Sequence, residues 1–211
     1  MAQSANVSAE RLTLVRRGQV LSRVTLVYNS FEGIASLVVG ALAGSVSLVG
    51  FGVDSLIEVT SSVAALWRLR SDSDHARRER VERITLRVIG SCFVVLALYI
   101  TLDAGHALWA REAPERTIVG IVIAALSVIV MPWLARRKRQ IAVGLGSRAL
   151  ESDAKQTDLC TYLSLIVLAG LALNALLGWW WADPVAALVM VPIIAMEGFE
   201  GWRGEVSCDD C

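Results

Sequence analysis

The stretch Gly44-Ser-Val-Ser-Leu-Val-Gly-Phe-Gly-Val-Asp54-Ser-Leu-Ile-Glu58 decides the fold. It opens a hydrophobic run, about Val46 to Trp67, long enough to cross a bilayer as one helix. Within that run, the four-residue spacing of Asp54 and Glu58 puts both carboxylates on one helix face. An ionised carboxylate at mid-bilayer costs roughly 2.5–3.5 kcal/mol even on a lenient insertion scale. Two of them need a neutralising partner, and a cation held near the membrane centre is the economical one. The alternative leaves both acids neutral and hydrogen-bonded to Ser or Thr on adjacent helices.

Outward from this stretch the apolar clustering repeats. In 211 residues that are 55% hydrophobic and 19% charged, about six runs reach spanning length: Val24–Leu42, Val46–Trp67, Ile84–Trp109, Thr117–Leu134, Leu159–Leu177 and Ala182–Gly198. The predicted fold is all-α, a polytopic membrane protein with a bundle of six transmembrane helices. The expected organisation is a cytoplasmic segment over 1–23, a membrane domain over 24–198 and a short cytoplasmic tail over 199–211, with no further domain. No internal repeat stands out. Leu69–Val81 reads as a charged, solvated connector, and Trp179, Trp180 and Trp181 as an interfacial aromatic anchor.

Net charge is zero, but its distribution is not even. Eighteen of the twenty Lys and Arg fall before the first run, between the second and third, between the fourth and fifth, or in the tail; only Arg111 and Arg116 fall on the opposite face. The positive-inside rule then places both termini in the cytoplasm. Topology accounts for the basic clusters, including Arg136–Arg139, so no nucleic-acid partner is expected. The first run is too long for a cleavable signal peptide and contains Glu32. The protein is expected in a plasma (inner) membrane. Cys92 and Cys160 fall within runs, and Cys208 and Cys211 fall in the tail, so no disulfide framework is expected.

The fifth run opens Ser152-Asp153-Ala-Lys-Gln156-Thr157-Asp158-Leu-Cys160-Thr-Tyr-Leu-Ser164. At 100° per residue, Asp153, Gln156, Thr157, Cys160 and Ser164 share a polar stripe, and Asp158 points well away from Asp153. A lone buried cysteine is usually a small apolar filler, but this one lies on the stripe.

With both motifs in place, the chain resembles the cation diffusion facilitator family of divalent-metal/proton antiporters. In that family, second-span sequences similar to Gly-Ser-Val-Ala-Leu-Leu-Ala-Asp carry a His/Asp-x-x-x-Asp pair. Laid without gaps on Gly44 to Val59, the pair falls on Asp54 and Glu58. A fifth-span pattern similar to Ala-Asp-Ala-x-His-x-x-x-Asp places its first acid on Asp153, its His on Gln156 and its last Asp on Cys160. The sixth-span Asp-Pro matches Asp183-Pro184. The resemblance covers roughly Val24 to Gly198 and is that of a short branch without the C-terminal cytoplasmic domain.

What the resemblance implies is a metal site of Asp54, Glu58, Cys160, Gln156 and Asp153, a homodimer, and exchange of metal for protons. The chain departs from the family where an amide oxygen and a thiol replace imidazole and carboxylate. A thiolate beside two carboxylates favours zinc, cadmium or cobalt over magnesium or calcium. With the family histidine missing, Asp54 or Glu58 is left to take the proton. Asp158 is the rival fifth-span ligand.

Other residues have weaker readings. Tyr28, Asn29 and Glu32 lie inside the first run, where Glu32 is either an accessory ligand or a structural hydrogen-bonding group. Asp103 and His106 read as a solvated pair, Asp183 as the cap of the sixth helix, and Cys208-Asp-Asp-Cys211 as a two-thiol metal-capture tail. The expected function is zinc-like efflux of a divalent transition metal (Co2+, Cd2+, Fe2+ and Mn2+ being the other cargoes), with no tightly bound cofactor and no catalytic residue. The alternative is a metal-binding membrane sensor or adaptor that does not transport. An intramembrane enzyme is disfavoured, because no nucleophile or substrate motif accompanies the acidic pair.

Overall fold

The computed structural model describes residues 2–70, 75–146 and 148–203. Six helices follow one another: α1 Ala2–Ala43, α2 Val46–Arg70, α3 His75–Ala110, α4 Ile118–Leu145, α5 Arg148–Leu177 and α6 Ala182–Arg203. No strand occurs among the described residues. Each helix contains a stretch long and apolar enough to cross a membrane. Even α6, with 22 residues, reaches about 33 Å at 1.5 Å per residue, enough for a hydrocarbon core of about 30 Å.

Local chemistry sets the helix ends. Gly44 takes a left-handed φ of +64° that closes α1. The hydroxyl of Ser45 then accepts from Leu48 N at 3.2 Å and caps α2. Thr117 caps α4 in the same way, accepting from Gly120 N at 3.1 Å. The α1–α2, α3–α4 and α5–α6 turns gather at one end of the molecule. There Glu115 N donates to Ala43 O at 2.8 Å, and Asn174 Nδ2 donates to Pro114 O at 3.1 Å. This is called the turn end below, and the opposite one the open end.

Helix α1 lies against α2 and α4, and α5 lies against the same two, so these four helices ring a common interior. The α3–α6 pair docks beside the ring through α2 and α5. Leu48, Phe51, Ile100, Met131, Leu163 and Met190 fill the core. Outside, Phe31, Leu42, Leu98, Trp109, Ile129 and Leu176 are exposed, the surface a lipid-solvated bundle presents. Trp179 and Trp181 stack at the turn end with centroids 5.0 Å apart. The α1–α2 contact is close because both sides lack a side chain: a Cβ on Gly52 would meet Leu37 N at 2.9 Å and Gly33 O at 3.0 Å. Gly33 and Gly52 adjoin Glu32 and the turn that carries Asp54, so this approach brings α1 to the acidic pair.

Helical structure extends past the predicted runs at the open end. Helix α4 continues eleven residues beyond Leu134, to Leu145, and so contains Arg136–Arg139. Helix α5 begins at Arg148 rather than near Leu159. The expected connector Leu69–Val81 is helical on both flanks, with 71–74 outside the described residues. A window sized for continuous apolar residues misses these extensions because they are amphipathic. Leu134, Ala135, Lys138, Ile141 and Ala142 form the buried stripe of α4 at helical spacing.

Candidate metal centre

Helices α2 and α5 run antiparallel, and their polar faces meet in layers. Nearest the open end, Ser62 Oγ donates to Asp153 Oδ1 at 2.9 Å and Ser61 Oγ to Gln156 Oε1 at 2.9 Å. One turn further in, Thr157 Oγ1 donates to Glu58 Oε1 at 2.6 Å, and the thiol of Cys160 faces the same carboxylate. Towards the turn end, Ser55 Oγ donates to Glu32 Oε2 at 3.1 Å, which brings α1 into the assembly. Ser164 Oγ donates to Ser127 Oγ of α4 at 2.8 Å. Glu58 and Cys160 are 1% exposed and Asp54 and Glu32 5%.

Of the five residues predicted for the site, Asp54, Glu58 and Cys160 are buried in the bundle interior, Asp54 one turn from Glu58 along α2. Asp153 and Gln156 stand in the layer below, engaged by serines of α2. Among the described residues, no three His, Cys, Asp or Glu side chains converge closely enough to cage an ion in this conformation. Two carboxylate oxygens in the cluster, Glu58 Oε2 and Glu32 Oε1, are buried without a hydrogen-bond partner. A buried acceptor left in that state costs about 1–3 kcal/mol, which a bound cation at this position would recover.

Lys138 was not among the predicted site residues. Its ammonium is wholly buried, 2.9 Å from Asp153 Oδ2, and donates to Thr157 Oγ1 at 2.9 Å. Ser22 of α1 donates to the same Asp153 oxygen at 3.4 Å. The sequence signal was the helical spacing of Leu134, Lys138 and Ile141, obscured by neighbouring arginines that point outward. Helix α1 also contributes more than Glu32: Ser22, Thr25, Asn29, Glu32 and Ser36 are all buried along a single face. Both side-chain atoms of Asn29 and the hydroxyl of Ser36 have no partner there.

The remaining candidates fall elsewhere. Asp158 pairs with Arg139 at the α4–α5 seam, away from the inner layers. Asp183 does not cap α6: it lies inside the first turn and accepts from Ser45 Oγ at 2.7 Å and from Ser47 Oγ, binding α6 to the start of α2. Asp103 accepts from Tyr99 OH at 3.1 Å, whereas His106 faces Glu112 at 3.8 Å in an exposed setting. The Cys208–Cys211 motif lies outside the described residues.

Comparison with known proteins adds an independent line. The family model for the cation efflux transmembrane domain matches residues 22–203. The chain is 23% identical over 193 residues to the cation-efflux pump FieF of Shewanella oneidensis, covering 90% of this chain and 64% of that protein. It is 22% identical over 197 residues to the manganese efflux system protein MneS of Bacillus subtilis, covering 90% and 68%. It is also 31% identical over 120 residues to transmembrane protein 163 of Xenopus laevis, covering 57% and 42%. The chain thus spans about two-fifths to two-thirds of the length of the curated relatives it matches. A match across most of the chain, on a bundle whose acidic pair lies in the interior, makes this protein a member of the cation diffusion facilitator family, built on the cation efflux transmembrane domain.

Proposed function

We propose that this protein exports a divalent transition-metal ion, zinc foremost, from the cytoplasm in exchange for protons. The observation that carries the reading is the burial of Asp54, Glu58 and Cys160 together in the ring interior, with Glu58 Oε2 left without a partner. Those three are the donors, and Gln156 completes the set when a small shift of α5 frees it from Ser61. Asp153 frames the approach from the open end. Two carboxylates with a thiolate suit zinc, cobalt or cadmium; iron and manganese remain cargoes to test, manganese efflux being the named role of one relative. Metal binds the deprotonated donors, so protons compete with it, and this supplies the antiport. The positive-inside rule puts the open end and both termini in the cytoplasm, in a plasma membrane, and a homodimer is the assembly expected.

The test is flux in proteoliposomes with an imposed pH gradient and a panel of zinc, cobalt, cadmium, iron(II) and manganese. Zinc should accumulate in vesicles with an acidic interior, and Asp54→Ala and Glu58→Ala should each abolish it. Full activity in both variants, or stoichiometric binding without flux in the wild type, refutes the transport reading.

A further inference from the structure

Among the described residues, Lys138 is the one buried cation, and the proposed metal site has no use for it. Its Nζ is held between α4 and α5, 2.9 Å from Asp153 Oδ2 and 2.9 Å from Thr157 Oγ1. The same threonine hydroxyl donates to Glu58 Oε1 at 2.6 Å. A continuous chain of contacts therefore joins the ammonium to a carboxylate of the proposed site. Stability alone does not call for such a pair, since a buried ion pair replaced by apolar residues of similar volume is often equally stable or more so.

We propose that Lys138 is a tethered counter-cation that sets the affinity of the metal site. The acids and thiol buried around the proposed site are Glu32 of α1, Asp54 and Glu58 of α2, and Asp153 and Cys160 of α5. Left uncompensated, four carboxylates and a thiol would hold a divalent ion too tightly for release. The ammonium cancels Asp153 and keeps Thr157 turned to Glu58, so the ion meets a site weaker by one charge. This inference rests on the metal-site reading above. Hydrogen bonds of 2.9 and 2.6 Å and a metal–oxygen bond of about 2 Å put at most about 7.5 Å between Nζ and an ion that binds Glu58 through both carboxylate oxygens. Over that distance, a unit charge acting on a divalent ion changes affinity about sixfold in a water-like dielectric and about a thousandfold at the effective dielectric of a protein site.

The experiment measures the zinc dissociation constant of the full-length, detergent-purified chain by competition with a chelating dye. Lys138→Met is expected to tighten binding at least fivefold and Asp153→Asn to weaken it at least fivefold. Combining the two should return the constant to within about threefold of wild type, as compensation of unit charges requires. Opposite signs with recovery support the counter-cation. A purely structural clamp would shift both single variants in the same direction, and that result, or no shift in either, overturns the inference. If Lys138→Met does not fold, Asp153→Asn compared with the double variant carries the same sign test, since removing the ammonium must then tighten binding. A wild type that binds no zinc removes the metal-site reading and this inference with it. A wild type that binds, with same-sign variants, removes this inference alone.

Discussion

Replacing Thr157 with valine changes shape very little and deletes the hydroxyl that joins three parts of the site. In the structure that hydroxyl donates to Glu58 Oε1 at 2.6 Å and accepts from Lys138 Nζ at 2.9 Å. Since Glu58 Oε2 already has no partner, the variant takes from the buried carboxylate its one hydroxyl donor. Losing a hydrogen bond to a charged group costs about 1.5–3 kcal/mol. For a chain of this size, about 2 kcal/mol lowers Tm by about 4–8 °C. The assay is thermal unfolding of purified protein in detergent, with and without zinc. Metal-free Thr157→Val should melt several degrees below wild type, and Thr157→Ser, which keeps the hydroxyl, should recover most of the loss. Zinc should raise the melting temperature of the valine variant by more than it raises wild type, because the ion takes over the oxygen the threonine had satisfied. A metal-free valine variant that melts with wild type would show that this contact does not hold Glu58.

Further expectations concern other contacts. Gly52→Val drives a side chain into backbone atoms of α1, Leu37 N and Gly33 O, and should destabilise the bundle by about 1–3 kcal/mol, read as a lower melting temperature; an unchanged one would contradict the close α1–α2 approach. Asp183→Ala strips the shared acceptor from Ser45 and Ser47 and should cost about 1–3 kcal/mol while leaving flux per folded molecule intact. Asp158→Asn breaks only the partly exposed pair with Arg139, so zinc flux should stay within about twofold of wild type, such pairs being worth little; abolished flux would make Asp158 the ligand on α5. Cys160→Ser exchanges a soft donor for a hard one and should shift selectivity away from cadmium and zinc towards manganese, measured by competition in the flux assay; an unchanged order would remove the thiol from the donor set.

Much of this architecture was legible because bilayer physics is coarse. A run of about 20 apolar residues means a crossing helix, and Asp54 and Glu58 within one such run had to face inward. The amphipathic ends were illegible by that rule, and with them Lys138: in Arg136–Arg139 the basic cluster reads as topology, and only tertiary packing against Asp153 shows that one of the four turns inside. Asp183 misled for a related reason. Its place before Pro184 fits a cap, but its partners are Ser45 and Ser47, more than 130 positions earlier in the chain. The stripe of Asp153, Gln156, Thr157 and Cys160 was readable as one face of α5. Its division into layers depended on the register with α2, which fixes Ser62, Ser61 and Glu58 as successive partners.

The most direct measurement is X-ray absorption at the zinc edge on the loaded protein, with Cys92, Cys208 and Cys211 replaced by serine so that Cys160 is the one remaining cysteine. An ion held by Asp54, Glu58 and Cys160 gives a single sulfur near 2.3 Å and oxygens near 2.0 Å, and the sulfur shell vanishes when Cys160 is also replaced. A spectrum with no sulfur, unaltered by Asp54→Asn and Glu58→Gln, would place the ion outside these buried acids and contradict the account.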